Sequence, residues 1–384
     1  MSDELVEGPA PGPRVAAPDG RTGFTVLQSA KWREIMPITL LNAVLNILTL
    51  SLWRFWGRTR VRRYLWSTTQ INGIPLEYTG TGFELFRSFL FVMLGFFLPL
   101  YLGFFAGQLL LPPEEFMLYL GLAYLPVLLL FTWLLGAATW IARRYRFSRT
   151  SWRGIRFVQT GSMSQFAWAT IGYSLLSVIT LGWFEPVKEM RLTKMLWRYT
   201  WFGDTKFNVP ASNQNLAGAL FGPYAIYWFG GIIAYIVFAV VYVSLLMPLM
   251  QAEGGTAPAE ITLRMMFSIY FAAFVGMLVW GLLGLPYQVA LLRRKAAMVG
   301  LDDVRFRIHA GLLGYFWVVA GNTLIIVFSL GLALPIAQMR MWRYIFSKME
   351  VLGELDLDAV HQNPNKGPGS GEGIADAFDI GNVI

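Results

Sequence analysis

Seven stretches of this 384-residue chain carry no Asp, Glu, Lys or Arg, and they constrain its fold more than any other feature: 35–53, 88–111, 116–142, 165–184, 216–250, 265–292 and 310–337. Each is about as long as, or longer than, the ~20 apolar residues an α-helix needs to cross ~30 Å of hydrocarbon, where only an internally hydrogen-bonded backbone is tolerated. The composition agrees, with 55% hydrophobic and 14% charged residues against roughly 25% charged in soluble domains. The sequence therefore predicts an all-α integral membrane protein, a multi-pass helical bundle. Cys is absent, and His309 and His361 stand apart from other metal-ligand residues, which removes disulfides, thiolate metal sites and Cys nucleophiles. No carboxylate lies in an apolar stretch to act as a proton relay, and neither a His-Glu-x-x-His run nor a phosphate-binding loop occurs. The expectation is a chain that is not an enzyme, with no catalytic residue, no metal and no cofactor.

Self-comparison reveals an internal threefold repeat. With Thr49-Leu50, Thr180-Leu181-Gly182 and Ser329-Leu330-Gly331 in register, Arg60 falls on Arg191 and Arg340, and Arg63 on Lys194 and Arg343. In the same register Asn42 falls on Tyr173 and Asn322, and Pro186 on Pro335. Each copy reads as a short strand, an apolar helix, a break, a basic amphipathic helix and a second short strand. The strands are predicted at Phe24–Leu27, Ile155–Gln159 and Val304–Ile308 before the helices, and at Leu76–Tyr78, Lys206–Val209 and Glu354–Asp358 after them. The chain then divides into a disordered leader (1–22), repeat unit 1 (23–86), a transmembrane hairpin (87–142), repeat unit 2 (143–210), a second hairpin (211–292), repeat unit 3 (293–358) and a disordered tail (359–384).

Lys and Arg accumulate on the cytoplasmic side of membrane proteins. Here they crowd 54–63, 143–156, 188–206 and 293–307, whereas the loops inside the two apolar pairs, Pro112–Glu115 and Gln251–Arg264, hold a single basic residue. The apolar pairs read as ordinary hairpins with external loops. Segments 35–53, 165–184 and 310–337 have basic ends on both sides, so seven simple crossings break the rule. Four full spans plus three segments that enter from the cytoplasm and return satisfy it, with both termini and the short strands cytoplasmic.

The run Leu48-Thr49-Leu50-Ser51-Leu52-Trp53-Arg54-Phe55-Trp56, continued by Arg58-Thr59-Arg60-Val61-Arg62-Arg63-Tyr64-Leu65-Trp66-Ser67 and by Leu76-Glu77-Tyr78-Thr79-Gly80-Thr81-Gly82-Phe83-Glu84-Leu85, resembles the YjgN family of bacterial inner-membrane proteins. The resemblance covers roughly residues 24 to 350. It implies a location in the bacterial inner membrane and supplies no activity, since the family is a domain of unknown function.

Two groups of side chains are candidates for function. Arg60, Arg63, Arg191, Lys194, Arg340 and Arg343 are spaced to share helix faces and suit anionic lipid headgroups or a small anion, each cation near an acidic leaflet contributing ~1 kcal/mol. Ordinary positive-inside anchoring accounts for the same residues. Asn42, Asn46, Tyr173 and Asn322 form a candidate polar layer within the membrane, where amides either glue helices or line a pathway. Gly103/Gly107 and Gly218/Gly222 have the spacing that allows close helix approach. The partners expected are membrane lipids, preferentially anionic, and not nucleic acid, since the basic residues hug the apolar segments. Protein partners and oligomeric state stay open. Two functions survive: organising lipid or partner proteins at the cytoplasmic leaflet, and conducting or carrying a small or lipidic anion.

Overall fold

A computed structural model describes residues 24–211, 215–251, 259–353 and 360–362. The predicted strand Glu354–Asp358, the leader 1–22 and most of the tail lie outside the described residues. Two compact units emerge: one contains the described residues of 24–211, 295–309 and 318–362, the other those of 215–294 and 310–317.

In chain order the elements are β1 (Val26–Gln28), α1 (Trp32–Leu48), α2 (Arg54–Ser67), β2 (Thr69–Ile71), β3 (Ile74–Tyr78), α3 (Gly82–Val92), a π-helical turn (Met93–Phe97), α4 (Leu98–Leu110), α5 (Pro113–Ser148), β4 (Thr150–Trp152) and β5 (Ile155–Gln159). There follow α6 (Met163–Ile179), α7 (Glu185–Arg198), β6 (Thr200–Phe202), β7 (Thr205–Asn208), α8 (Phe221–Gln251), α9 (Ala259–Ala297), β8 (Gly300–Leu301), β9 (Val304–Ile308), α10 (Leu312–Phe328), α11 (Leu334–Ser347) and β10 (Met349–Leu352). Among the described residues, four helical runs are long and apolar enough to cross a membrane: Gly82–Leu110, Pro113–Ser148, Gly218–Ser244 and Leu263–Ala297. The π-helical turn widens the first run just before Pro99, whose missing N–H and bulky ring disfavour a regular turn there. The 36 residues of α5 span ~54 Å at 1.5 Å per residue, longer than the ~30 Å of hydrocarbon. Its basic last turns therefore have length to spare beyond the apolar layer.

The expected helical class is present, and its short strands assemble into more than isolated pieces. Ten short strands pair in sequence order as one antiparallel meander, and β1 also touches β10, so the sheet nearly closes on itself. Four hairpins use two-residue loops, pairing Ile71 with Ile74, Trp152 with Ile155, Phe202 with Thr205 and Leu301 with Val304. Asn72-Gly73 and Arg153-Gly154 both adopt positive φ, the backbone twist that such tight hairpins favour. The sequence reading lacks β2, β4, β6, β8 and β10, because a strand of two to four residues is too short for alternation to be readable. β1 and β7 are also displaced by a residue or two from the predicted Phe24–Leu27 and Lys206–Val209.

Inside the sheet, Trp152, Phe202, Phe207, Val299, Leu301, Val304, Val351 and Val360 form the largest buried apolar cluster described, with Phe157 and Trp197 packed against it. Val360 belongs to the stretch assigned to a loose tail, yet it is buried there. Its neighbours strap it down: the Asp204 amide donates to the His361 carbonyl (2.9 Å), the His361 amide donates to Asp204 Oδ1 (3.0 Å), and the Arg156 amide donates to Gln362 Oε1 (3.0 Å). Gly203 makes this possible, since its φ is +56° and a Cβ would strike the His361 carbonyl oxygen. Around the sheet, α1 packs on α2 and α11, and α6 on α5 and α7. Trp342 of α11 donates to Thr69 Oγ1 (3.0 Å) and stacks on Trp66 with ring centroids 4.9 Å apart, which joins the last helix pair to the first.

Candidate functional site

The breaks between α1 and α2, α6 and α7, and α10 and α11 share one construction. The amide two residues beyond the C-cap bonds back five residues: Ser51 to the Asn46 carbonyl (2.6 Å), Gly182 to Ser177 (2.6 Å) and Gly331 to Ile326 (2.8 Å). The preceding amide bonds back three residues, Leu50 to Ile47, Leu181 to Val178 and Leu330 to Val327. This is a Schellman C-cap, whose left-handed position is normally glycine. Here it is leucine each time, at φ +48°, +50° and +50°, where a Cβ costs roughly 1–2 kcal/mol. The C-cap hydroxyl then accepts the first free amide of the next helix: Trp53 N to Thr49 Oγ1 (2.9 Å), Phe184 N to Thr180 Oγ1 (3.0 Å) and Ala333 N to Ser329 Oγ (3.0 Å).

These strained leucines cover nothing. Leu50 is 89% exposed, Leu181 76% and Leu330 90%, and the residues before them, Leu48, Ile179 and Phe328, are also exposed. In water such a tip would combine backbone strain with an uncovered apolar side chain. In hydrocarbon the exposure becomes favourable burial, at roughly 25 cal/mol per Å² of apolar surface removed from water.

Behind the tips three of the candidate cations, Arg60, Arg191 and Arg340, fold back onto their own helix pairs. The Arg60 guanidinium lies over the Trp53 ring (5.6 Å), and the Arg191 guanidinium over Tyr173 (5.6 Å) and Phe184 (5.5 Å). Arg340 packs on Gly321, where a Cβ would stand 2.7 Å from Nη2. Arg63 is exposed and donates from Nη2 to the Gly80 carbonyl (2.9 Å), and Arg343 is exposed. Lys194 is buried and donates to the Ala211 carbonyl (3.0 Å). Burial first, then the neighbouring charges of Arg198 and Arg191, hold its ammonium below the ordinary lysine pKa.

The polar residues act as local ties. Asn42 is buried, donates from Nδ2 to the Gly57 carbonyl (3.4 Å) and accepts the Trp53 indole N–H (3.2 Å). Asn322, also buried, donates to the Ala337 carbonyl (3.0 Å), fifteen residues on, as Gly57 is from Asn42. Tyr173 serves as the platform under Arg191. Asn46 keeps a buried Oδ1 that meets no donor among the described residues. Each tie joins the two helices of one pair, so the described contacts bring none of Asn42, Tyr173 and Asn322 together. Among the glycines, Gly107 lies against Phe116, while Gly103, Gly218 and Gly222 have open space where a side chain would sit.

Two carboxylates are absent from the sequence-derived candidates. Glu84 accepts from the Thr81 amide (3.3 Å), from Arg149 Nη2 (2.5 Å) and from the buried Tyr145 hydroxyl, which ties the start of α3 to the end of α5. The Thr-x-x-Glu capping box at Thr81 is the sequence signal that identifies it. Glu185, at the start of α7, accepts from Ser177 Oγ (3.0 Å) and Lys188 Nζ (2.7 Å) and does for the second helix pair what Asn42 and Asn322 do for the others.

A family model described as a bacterial protein of unknown function (DUF898) matches residues 26–377. The inner membrane protein YjgN of Salmonella typhimurium is 22% identical over 356 residues, covering 86% of this chain and 89% of that protein. The protein of the same name from Escherichia coli K12 is 30% identical over 145 residues, 38% of this chain and 33% of its own length. No solved structure matches.

Proposed function

This chain belongs to the DUF898 family of bacterial proteins of unknown function, with the YjgN proteins among its relatives, and from that membership we propose a non-enzymatic, multi-pass inner-membrane protein that organises anionic lipid at the cytoplasmic leaflet. Four helices cross the bilayer. Three copies of one helix-pair unit dip into the inner leaflet from the cytoplasm and return, leaving their cations at the headgroups and both termini inside. The observation that carries this reading is the leucine held three times in a left-handed, exposed conformation, because only a lipid environment rewards it. The threefold unit draws support from the matching tips and from equal helix lengths, 17 and 14 residues in every pair. Passage of an anion is the alternative. The local ties of Asn42 and Asn322 favour the first reading, since both donate to a carbonyl within their own helix pair.

Because the chain has no Cys, a single introduced thiol reports unambiguously. Asp204→Cys, on the β6–β7 turn, is expected to react with a membrane-impermeant maleimide only from the cytoplasmic side of oriented vesicles. Reaction from the periplasmic side overturns the re-entrant arrangement. For the lipid role, replacing Arg60, Arg191 and Arg340 together by Gln is expected to weaken retention of phosphatidylglycerol relative to phosphatidylcholine in native mass spectrometry. At ~1 kcal/mol per cation the loss is on the order of 10²-fold, and an unchanged ratio removes the lipid role.

A further inference from the structure

One buried cluster takes no part in the features described so far. Arg143 of α5 lies over the rings of Phe147 (4.5 Å) and Trp197 (4.3 Å), and its Nε and Nη2 are buried with no hydrogen-bond partner among the described residues. No described carboxylate pairs with it. One turn earlier on the same helix, Trp140 is 1% exposed and its indole N–H is likewise unmatched. Gln159 of β5 is 2% exposed, and both its amide oxygen and its amide nitrogen lack partners.

The contacts on either side put these groups at one level. Phe147 meets Phe157 of β5 with ring centroids 6.0 Å apart. Trp140 meets Gly161, where a Cβ would sit 3.2 Å from Cη2. From Phe147 back to Trp140 is seven helical residues, ~10.5 Å; from Phe157 to Gly161 is four extended residues, ~13 Å. Arg143 sits between the first pair, and Gln159, on the same side of the strand as Phe157, between the second. A guanidinium without a counter-charge and an amide without partners are each expensive to bury, and here they belong to a helix and a strand packed on one another.

We propose that Trp140, Arg143 and Gln159 form a binding site for a terminal phosphate group that carries a P–OH, whether inorganic phosphate or the monoester headgroup of a phosphatidic acid. The donor count selects that class. Arg143 Nε and Nη2, Trp140 Nε1 and Gln159 Nε2 offer N–H groups to phosphate oxygens, and a guanidinium binds such oxygens in a planar, charge-assisted way. Gln159 Oε1 needs a hydrogen-bond donor, which the P–OH of a monoester supplies and a phosphodiester does not. The site stands apart from the lipid-organising reading, since it depends on neither the tips nor Arg60, Arg191 and Arg340.

The test uses the purified full-length protein in neutral detergent, titrated with inorganic phosphate, phosphatidic acid and phosphatidylglycerol, with binding read by calorimetry and by the shift in unfolding midpoint. Saturable binding of inorganic phosphate or phosphatidic acid is expected, with phosphatidylglycerol at least tenfold weaker. Response to phosphatidic acid alone identifies a lipid ligand; response to inorganic phosphate identifies a free one. Gln159→Leu and Trp140→Phe are each expected to weaken binding at least tenfold; Gln159→Leu leaves the ligand-free unfolding midpoint unchanged or raised, whereas Trp140→Phe lowers it by the cavity it opens. Should Gln159→Leu fail to fold, Trp140→Phe, which keeps an aromatic ring but loses the N–H-bearing half of the indole, carries the test. Absence of saturable binding, parity of phosphatidylglycerol with phosphatidic acid, or wild-type affinity in the folded variants overturns the proposal.

Discussion

Phe202→Ala is expected to destabilise the protein by about 3–5 kcal/mol, the range for truncating a fully buried aromatic. Phe202 sits within the sheet's apolar cluster, its ring 4.9 Å from Phe157 and 5.7 Å from Trp152. Those rings belong to β5 and β4, so the cavity would loosen three strands together, and the hydrogen-bonded ladder around it gives little room to collapse. Equilibrium unfolding in mild detergent measures the effect; a loss under 1 kcal/mol would mean that the sheet is not the structural centre of its unit.

The second large effect is a reversal of sign. At Leu181 the backbone has φ +50°, a conformation that Asp tolerates better than Leu. In water, Leu181→Asp relieves strain and removes an exposed apolar side chain, so it stabilises by about 1 kcal/mol. With the tip at hydrocarbon depth, the same substitution costs about 2.5–3.5 kcal/mol on insertion-based scales. We expect destabilisation in bilayers and a gain, or no loss, at the same residue in a short water-soluble micelle that does not cover the tip. Stabilisation in bilayers would contradict lipid insertion. The equivalent changes at Leu50 and Leu330 repeat the measurement twice within one molecule.

Much of the architecture is legible in the sequence because charge is so unevenly distributed. The uncharged stretches locate the helices, and Thr49-Leu50, Thr180-Leu181 and Ser329-Leu330 mark the three breaks. The sheet is not legible, since most of its strands are shorter than the pattern that would reveal them. Asn72-Gly73 is the one strong hairpin signal, and it lies beside Thr69–Ile71, among the strands the reading lacks. Alignment puts Arg60, Arg191 and Arg340 in register but cannot say what each rests on. That depends on the residue opposite, Trp53 and Phe184 for the first two and Gly321 for the third. Trp140, Arg143 and Gln159 are equally hidden, because an unmatched amide is a property of its neighbours, and those come from α5, β5 and α7.

The bond from Trp342 to Thr69 spans 273 positions of the chain. A ribosome releases the first strand long before the last helix pair exists, so β1 must wait with its outer edge uncovered through the synthesis of nearly everything else. Non-local closure of this kind is slow and leaves intermediates prone to misassociation. Nascent chains halted before α11 should therefore be substrates for membrane quality control even once all four long apolar helices have been made.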